Sequence, residues 1–199
     1  TTLLQCLSGF LRRDAGRIDV YGEPLDEGGR DPRIAYVPAV PLFYPFLTVR
    51  DVLEYRAARK IVRVTPGGEV DWALRTFELD QLAQCHISLL SRETIRRLAI
   101  AEAMIDSPAV VLADTSVPDG YREFVDDSMR ALARCAGTGA AVVVASRGAV
   151  AVAAVATRLL MLDRGRLTRA FQLYSFGEHA VEDVPGWNRG ARFVAERVH

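Results

Sequence analysis

Apolar residues recur at a helical interval near the start of the chain, at Leu3, Leu4, Leu7, Phe10 and Leu11, which predicts a helix within residues 1–11. After the turn Asp14-Ala15-Gly16, the run 17–21 reads as a strand. Residues 28–32 read as a loop, 34–37 as a short strand stopped by Pro38, and 38–47 as a loop punctuated by prolines. Thr48 has the character of an N-cap, with Asp51 three residues on as a capping-box variant, for a helix reaching residue 59. Residues 61–89 read as a Pro/Gly loop with short helical pieces. Ser91 then caps a strong helix running to residue 105. Pro108 precedes the apolar run 110–113, which ends on Asp114. The remaining pattern predicts a helix over 121–135, a strand over 141–145, a small-residue helix over 149–156 and a strand over 159–162. The turn Asp163-Arg164-Gly165-Arg166 leads into Leu167.

The strands in this pattern are apolar on both faces and alternate with helices. That combination predicts an α/β fold whose sheet is mainly parallel and covered on both sides. A chain of 199 residues is long enough to bury one sizeable core. Its most apolar stretch, 140–162, is broken by Arg147 and Arg158, so it reads as two core elements and not as a membrane span, which needs about 20 apolar residues.

Charge narrows the partners. The chain carries 25 basic and 25 acidic residues, a formal net charge of zero, so no overall field draws it to nucleic acid, and no nucleic-acid partner is expected. Cys6, Cys85 and Cys135 form no CxxC pair, which fits a reducing cytosol, and His86, His179 and His199 have no metal-ligand spacing. The residue with most chemical promise is Asp114. A carboxylate at the end of a buried strand faces the crevice where open α/β sheets bind ligands, although an Asp there also suits the cap of a following helix.

Several segments, taken in order and spacing, carry a resemblance. They are Thr1-Thr2-Leu3-Leu4, the stretch 11–18, Tyr36-Val37-Pro38-Ala39 followed by Leu47-Thr48-Val49, Leu90-Ser91 with Arg96-Arg97-Leu98-Ala99-Ile100-Ala101, the run 108–114, the strand end at 141–147, and Leu162-Asp163-Arg164-Gly165-Arg166-Leu167. Together they resemble the ATP-binding subunit of an ABC transporter over about residues 1–167. The resemblance implies a P-loop NTPase-like core with an inserted helical subdomain. It divides the chain into a core of residues 1–45 and 108–170, a helical signature subdomain of 46–107 and a C-terminal tail of 171–199. Thr1-Thr2 resembles the end of the Walker A run, whose Gly and Lys are expected just upstream, so the numbered chain is expected to be cut inside that loop.

The resemblance also implies roles. Thr1, Thr2, Asp114 and Ser91 are the expected nucleotide-binding residues, with Thr1 and Asp114 holding Mg through water and ATP as the nucleotide. The glutamate that polarises the attacking water is replaced by Thr115, the Q-loop glutamine by Ala39 and the H-loop histidine by Arg147. Arg147 can pair with phosphate or simply sit solvated at a strand end. The signature Leu-Ser-Gly-Gly-Gln reads Leu90-Ser91-Arg92-Glu93-Thr94, in which Ser91 and Glu93 equally suit an ordinary helix start. No D-loop Asp is matched at 117–121, where Asp119 reads as a turn residue. The implied partners are a membrane permease and a second nucleotide-binding subunit in a head-to-tail dimer. The implied location is cytoplasmic, peripheral on the inner face of the cell membrane. A degenerate subunit with little or no hydrolysis is expected; an ATPase that still turns over, or an interaction module that binds no nucleotide, are the alternatives. The apolar loop 38–47 is expected to expose aromatic side chains to the permease, with packing on the helical subdomain as the other outcome.

Overall fold

The computed structural model describes residues 1–25, 29–59, 68–116, 122–146, 152, 155–172 and 192–197. The helix α1 (Thr2–Leu7) is followed by the short antiparallel pair β1 (Asp19–Val20) and β2 (Glu23–Pro24). Then come β3 (Ile34–Val37), α2 (Val49–Ala58), α3 (Gly68–Thr76), two single-turn 3₁₀ segments, α4 (Arg92–Met104) and β4 (Val110–Asp114). The chain continues through α5 (Arg122–Gly137), β5 (Ala141–Ser146), β6 (Arg158–Asp163), β7 (Arg166–Gln172) and β8 (Arg192–Arg197).

Six strands form one sheet in the order β3-β4-β5-β8-β6-β7. β3, β4 and β5 are parallel neighbours, with Val37 opposite Ala113 and Asp114 opposite Ala145. β8 runs antiparallel to both β5 and β6, so β6 points the same way as the three parallel strands. β7 runs on to Gln172, and β8, drawn from the residues expected as a C-terminal tail, 171–199, is an internal strand of the sheet. The physical reason is the gap between β5 and β6, two strands of like direction, whose backbone donors and acceptors β8 pairs on both sides.

The alternation of side chains along β3, β4 and β5 builds the two covered faces. Ala35, Val37, Val111, Ala113, Val142 and Val144 join the large core made with α2 to α5. On the opposite face Leu112 and Ala145 pack with Leu4 of α1, flanked by Tyr36 and Val143. α1 is shorter than its apolar pattern implied: it ends at Leu7, and Gly9 adopts a positive φ with the Gly29 carbonyl oxygen standing where a Cβ would need room. The small-residue helix expected over 149–156 lies largely outside the described residues.

The elements described between β3 and β4 are helical, and their ends follow the expected chemistry. At α2 the Thr48 hydroxyl accepts from the Asp51 N–H at 3.1 Å while the Asp51 carboxylate accepts from the Thr48 N–H at 2.8 Å. Those bonds hold the Asp51 carboxyl below its ordinary range. Thr48→Ala is expected to cost about 1 kcal/mol, read as a lower midpoint in urea unfolding at unchanged m-value. α3 closes with Glu78 at φ 54 while the Leu79 N–H reaches back to the Leu74 carbonyl at 2.8 Å. The Glu78 carboxylate meets Arg134 of α5, whose Nη1 also donates to the Thr76 carbonyl at 2.9 Å, so α5 ties down the end of α3.

Candidate functional site

Asp114 ends β4 between the C-terminal ends of β3 and β5, as its place after an apolar run implied. Its side chain shares a face with Leu112, the face that α1 covers. The Thr1 hydroxyl, at the start of α1, therefore meets it and donates to Oδ2 across 113 residues of sequence. Oδ1 accepts the Ser116 N–H at 2.9 Å. Asp114 is fully buried. Burial pushes its carboxyl up, but the bonds from Thr1 and Ser116 outweigh it and hold the group below the usual carboxylate range, so it is ionised at neutral pH.

Thr115 follows on the other face. Its N–H donates to the Ala145 carbonyl at 2.8 Å and its hydroxyl to the same oxygen at 3.0 Å, and the residue is buried. The hydroxyl is thus committed to a neighbouring strand, and a threonine hydroxyl is no base at neutral pH. Ala39, just past β3, presents no polar side chain, and its carbonyl accepts from Arg96. Arg147 and the turn 117–121 lie outside the described residues.

The residue that sequence reading passed over is Arg96. It lies on α4 three, four and seven residues before Ala99, Ile100 and Ala103, all buried, and that helical spacing was the signal that its side chain turns inward. Arg96 is 6% exposed. Its guanidinium reaches the Ala39 carbonyl at 2.9 Å, the Pro38 carbonyl at 3.3 Å and the Asp114 carbonyl at 2.5 Å. Burial draws it below its ordinary range, opposed by the Asp114 carboxylate. One arginine thereby joins α4, the exit from β3 and the end of β4.

Ser91 caps α4, its Oγ accepting the Thr94 N–H at 3.2 Å and sharing a hydroxyl hydrogen bond with Thr94 at 3.1 Å. A hydrogen bond with Ser91 holds the Glu93 carboxyl below its usual range. Ser91 and Arg92 are exposed at the start of α4, and Thr2, the first residue of α1, is exposed as well.

Among the described residues a divalent cation finds oxygen donors in this corner, the Thr1 hydroxyl and the Asp114 carboxylate among them, which is the hard chemistry Mg takes when phosphates and waters complete its shell. Among the described residues no group of three or more His, Cys, Asp and Glu gathers to hold a metal by itself. The donor set therefore fits a Mg ion that arrives with a phosphate ligand.

Beside the site lies a cleft of about 430 Å³ between β3, the loop after it, α2 and α4. Ser8, Tyr36, Phe43, Arg56, Arg59 and Glu102 are among its lining. The loop 38–47 partly buries Phe43 against the core but leaves Leu42 88%, Tyr44 69% and Phe46 68% exposed, the two rings stacked at 5.5 Å. Among the described residues no helix is long and apolar enough to cross a membrane.

The family profile for ABC transporters matches residues 1–117. The lipoprotein-releasing system ATP-binding protein LolD 1 of Caulobacter vibrioides is 30% identical over 186 residues, covering 84% of this chain and 76% of its own length. An ABC transporter ATP-binding protein of Synechocystis sp. is 31% identical over 124 residues, 57% of this chain. The matched region spans only 33% of that relative's length. Among solved structures, cbiO1 from Clostridium perfringens, part of the transporter complex cbiONQ, superposes with a TM-score of 0.74 at 22% identity, over 86% of this chain and 71% of its own. The dimeric ATP-binding cassette MJ0796 bound to ADP and Pi gives a TM-score of 0.67 at 21% identity, over 88% of this chain and 81% of its own. At these identities the structural likeness speaks for the fold.

Proposed function

The chain belongs to the ABC transporter family, and from that premise we propose that it is a degenerate ATP-binding subunit that binds ATP weakly and couples to a membrane permease with little or no hydrolysis. The observation that carries the proposal is Thr115, buried and hydrogen-bonded to the Ala145 carbonyl where the family resemblance calls for a glutamate. A general base contributes about 10²- to 10⁴-fold in rate, roughly 3–5 kcal/mol of barrier.

In this reading Thr1, Thr2 and Asp114 contact the nucleotide, with Thr1 and Asp114 holding Mg through water. Mg, when bound, neutralises phosphate charge and orients the terminal phosphate. The chain's own residues do the remainder: Asp114 keeps an ionised carboxylate at the strand end, and Arg96 holds Ala39 and the Asp114 backbone in place. Residues 1–45 and 108–170 form the nucleotide core, and 46–107 the signature subdomain. A second subunit docks head to tail against the start of α4, where it meets Ser91 together with Arg92 and Glu93 in place of glycines. That bulk and negative charge disfavour a partner's phosphate. The permease covers Leu42, Tyr44 and Phe46 on the loop 38–47, an apolar patch whose exposure to water is unfavourable until a partner covers it. The subunit accordingly sits at the cytoplasmic side of the membrane through its permease.

The test is phosphate release and ATP binding by the full-length protein, alone and with its partner subunit. Release is expected far below about one turnover per second, while ATP binding persists at micromolar to millimolar concentration. Turnover at about one per second or faster, abolished by Asp114→Ala, would overturn the proposal in favour of an active ATPase. Absence of ATP binding would favour an interaction module.

A further inference from the structure

α5 turns Asp127, Arg130, Ala131 and Arg134 to one side, at spacings of three, four and seven residues that share a helix face. Opposite them stand Arg97 of α4 and Glu78 at the end of α3, and together these residues line a cavity of about 310 Å³. Arg97 follows Arg96 in sequence but lies about 100° round the helix, so one arginine goes to the strand ends and the next to α5. None of the lining residues is assigned to the nucleotide, so this cavity stands or falls apart from that reading.

Three guanidiniums face two carboxylates here, and their pairing is uneven. Glu78 is committed to Arg134, whose Nη1 also donates to the Thr76 carbonyl at 2.9 Å. Arg97 and Arg130 are held more loosely. Arg97 Nη1 stands 3.7 Å from Glu78 and 3.8 Å from Asp127, and Arg130 Nη2 stands 3.7 Å from Asp127. At those separations the charges attract, but the contacts exceed the N–H to O hydrogen-bond range. The Arg97 side chain is 19% exposed, and its Nε is buried with no hydrogen-bond partner among the described residues. A guanidinium drawn out of water with donors unmatched is unfavourable, and an acceptor-rich anion set between the two forks relieves it.

We propose that this cavity binds a phosphate monoester, gripped by Arg97 of α4 and Arg130 of α5. A phosphate monoester carries about −1.5 to −2 charge near neutral pH and three acceptor oxygens, which suit two guanidinium forks arriving from different helices. A carboxylate offers two oxygens, which a single fork already engages. Asp127 is the competitor: it faces both guanidiniums, and the phosphate takes over their donors. The volume lies at the lower end of the range for small-molecule sites and admits a phosphate with a short organic group.

The experiment is calorimetric titration of the full-length protein with inorganic phosphate and with glycerol 3-phosphate, both in about 150 mM salt, where diffuse surface attraction is screened. Both are expected to bind at about millimolar or tighter, within about threefold of each other. Arg130→Gln should weaken both by about tenfold or more and, with a side chain 71% exposed, should leave the fold intact. Asp127→Asn should tighten binding by about threefold or more, because it removes the carboxylate that competes for the guanidiniums; an ion network that only braces the helices gives no gain. Arg12→Gln, which removes an exposed charge elsewhere, should leave both affinities unchanged. No binding at about 10 mM ligand overturns the proposal. Equal weakening by Arg130→Gln and Arg12→Gln also overturns it, as a response to net charge alone. Phosphate binding that Asp114→Ala abolishes and Arg130→Gln spares places the anion at the strand end, which overturns this site and leaves the nucleotide reading intact. Glycerol 3-phosphate binding more than about tenfold weaker than inorganic phosphate overturns the monoester assignment. Circular dichroism checks that each variant folds; should Asp127→Asn fail, the Arg130→Gln titrations decide alone.

Discussion

Thr115→Glu, the substitution that would supply the missing base, is expected to destabilise the protein strongly and leave phosphate release unchanged. Thr115 is 5% exposed, and its hydroxyl and N–H both donate to the Ala145 carbonyl. A carboxylate placed there loses the hydroxyl donor, worth about 1 kcal/mol, and faces a carbonyl oxygen that repels it. Arg96, the cation across the strand end, is already engaged by three carbonyls. An uncompensated buried charge costs about 3–5 kcal/mol, which for a chain of this size lowers Tm by roughly 10 °C. Differential scanning calorimetry together with phosphate release reads both halves. A rise in release of about 10²-fold or more, with Tm unchanged, would show that position 115 reaches the nucleotide and that the missing glutamate was the sole defect.

The second large effect is expected from Phe77→Ala, about 3–5 kcal/mol of lost stability. Phe77 is fully buried behind α3 and stands edge-on to Trp72 at 6.1 Å and 88°. Truncation removes the ring contact and leaves a cavity bordered by other elements of the same core. That core is continuous: residues of α2, α3 and α4 pack with Val37, Val111 and Val144 of the sheet. The loss should therefore appear in one urea transition, reported alike by tryptophan fluorescence and by circular dichroism. Separate transitions would make 46–107 an independently melting subdomain, and a loss below about 1 kcal/mol would contradict the packing.

Much of this architecture was readable because it depends on neighbours in sequence. The cap at Thr48 with Asp51, the cap at Ser91, the apolar run ending on Asp114 and the turn at Arg164-Gly165 each rest on contacts within a few residues. The exposed aromatics of 38–47 follow from a proline-rich loop that has too little regular structure to hide them. The place of Asp114 at a strand end was readable from the apolar run before it, and the order of the motifs identified the family.

What sequence could not decide is what depends on strand pairing and on which side chains converge. β8 has no strong signal of its own; its place comes from the unpaired backbone between β5 and β6, more than 25 residues from either in sequence. Thr115 looked only like an absent glutamate, and the register of β4 on β5 is what turns its hydroxyl to Ala145. Arg96 looked like one arginine among many on a helix. Its meaning appears only where α4 crosses the ends of β3 and β4 and brings three main-chain carbonyls around one guanidinium. Local preference selects the elements, whereas long-range packing selects which polar groups lose water together, and in this protein that second choice buries the Arg96 guanidinium against the ends of β3 and β4.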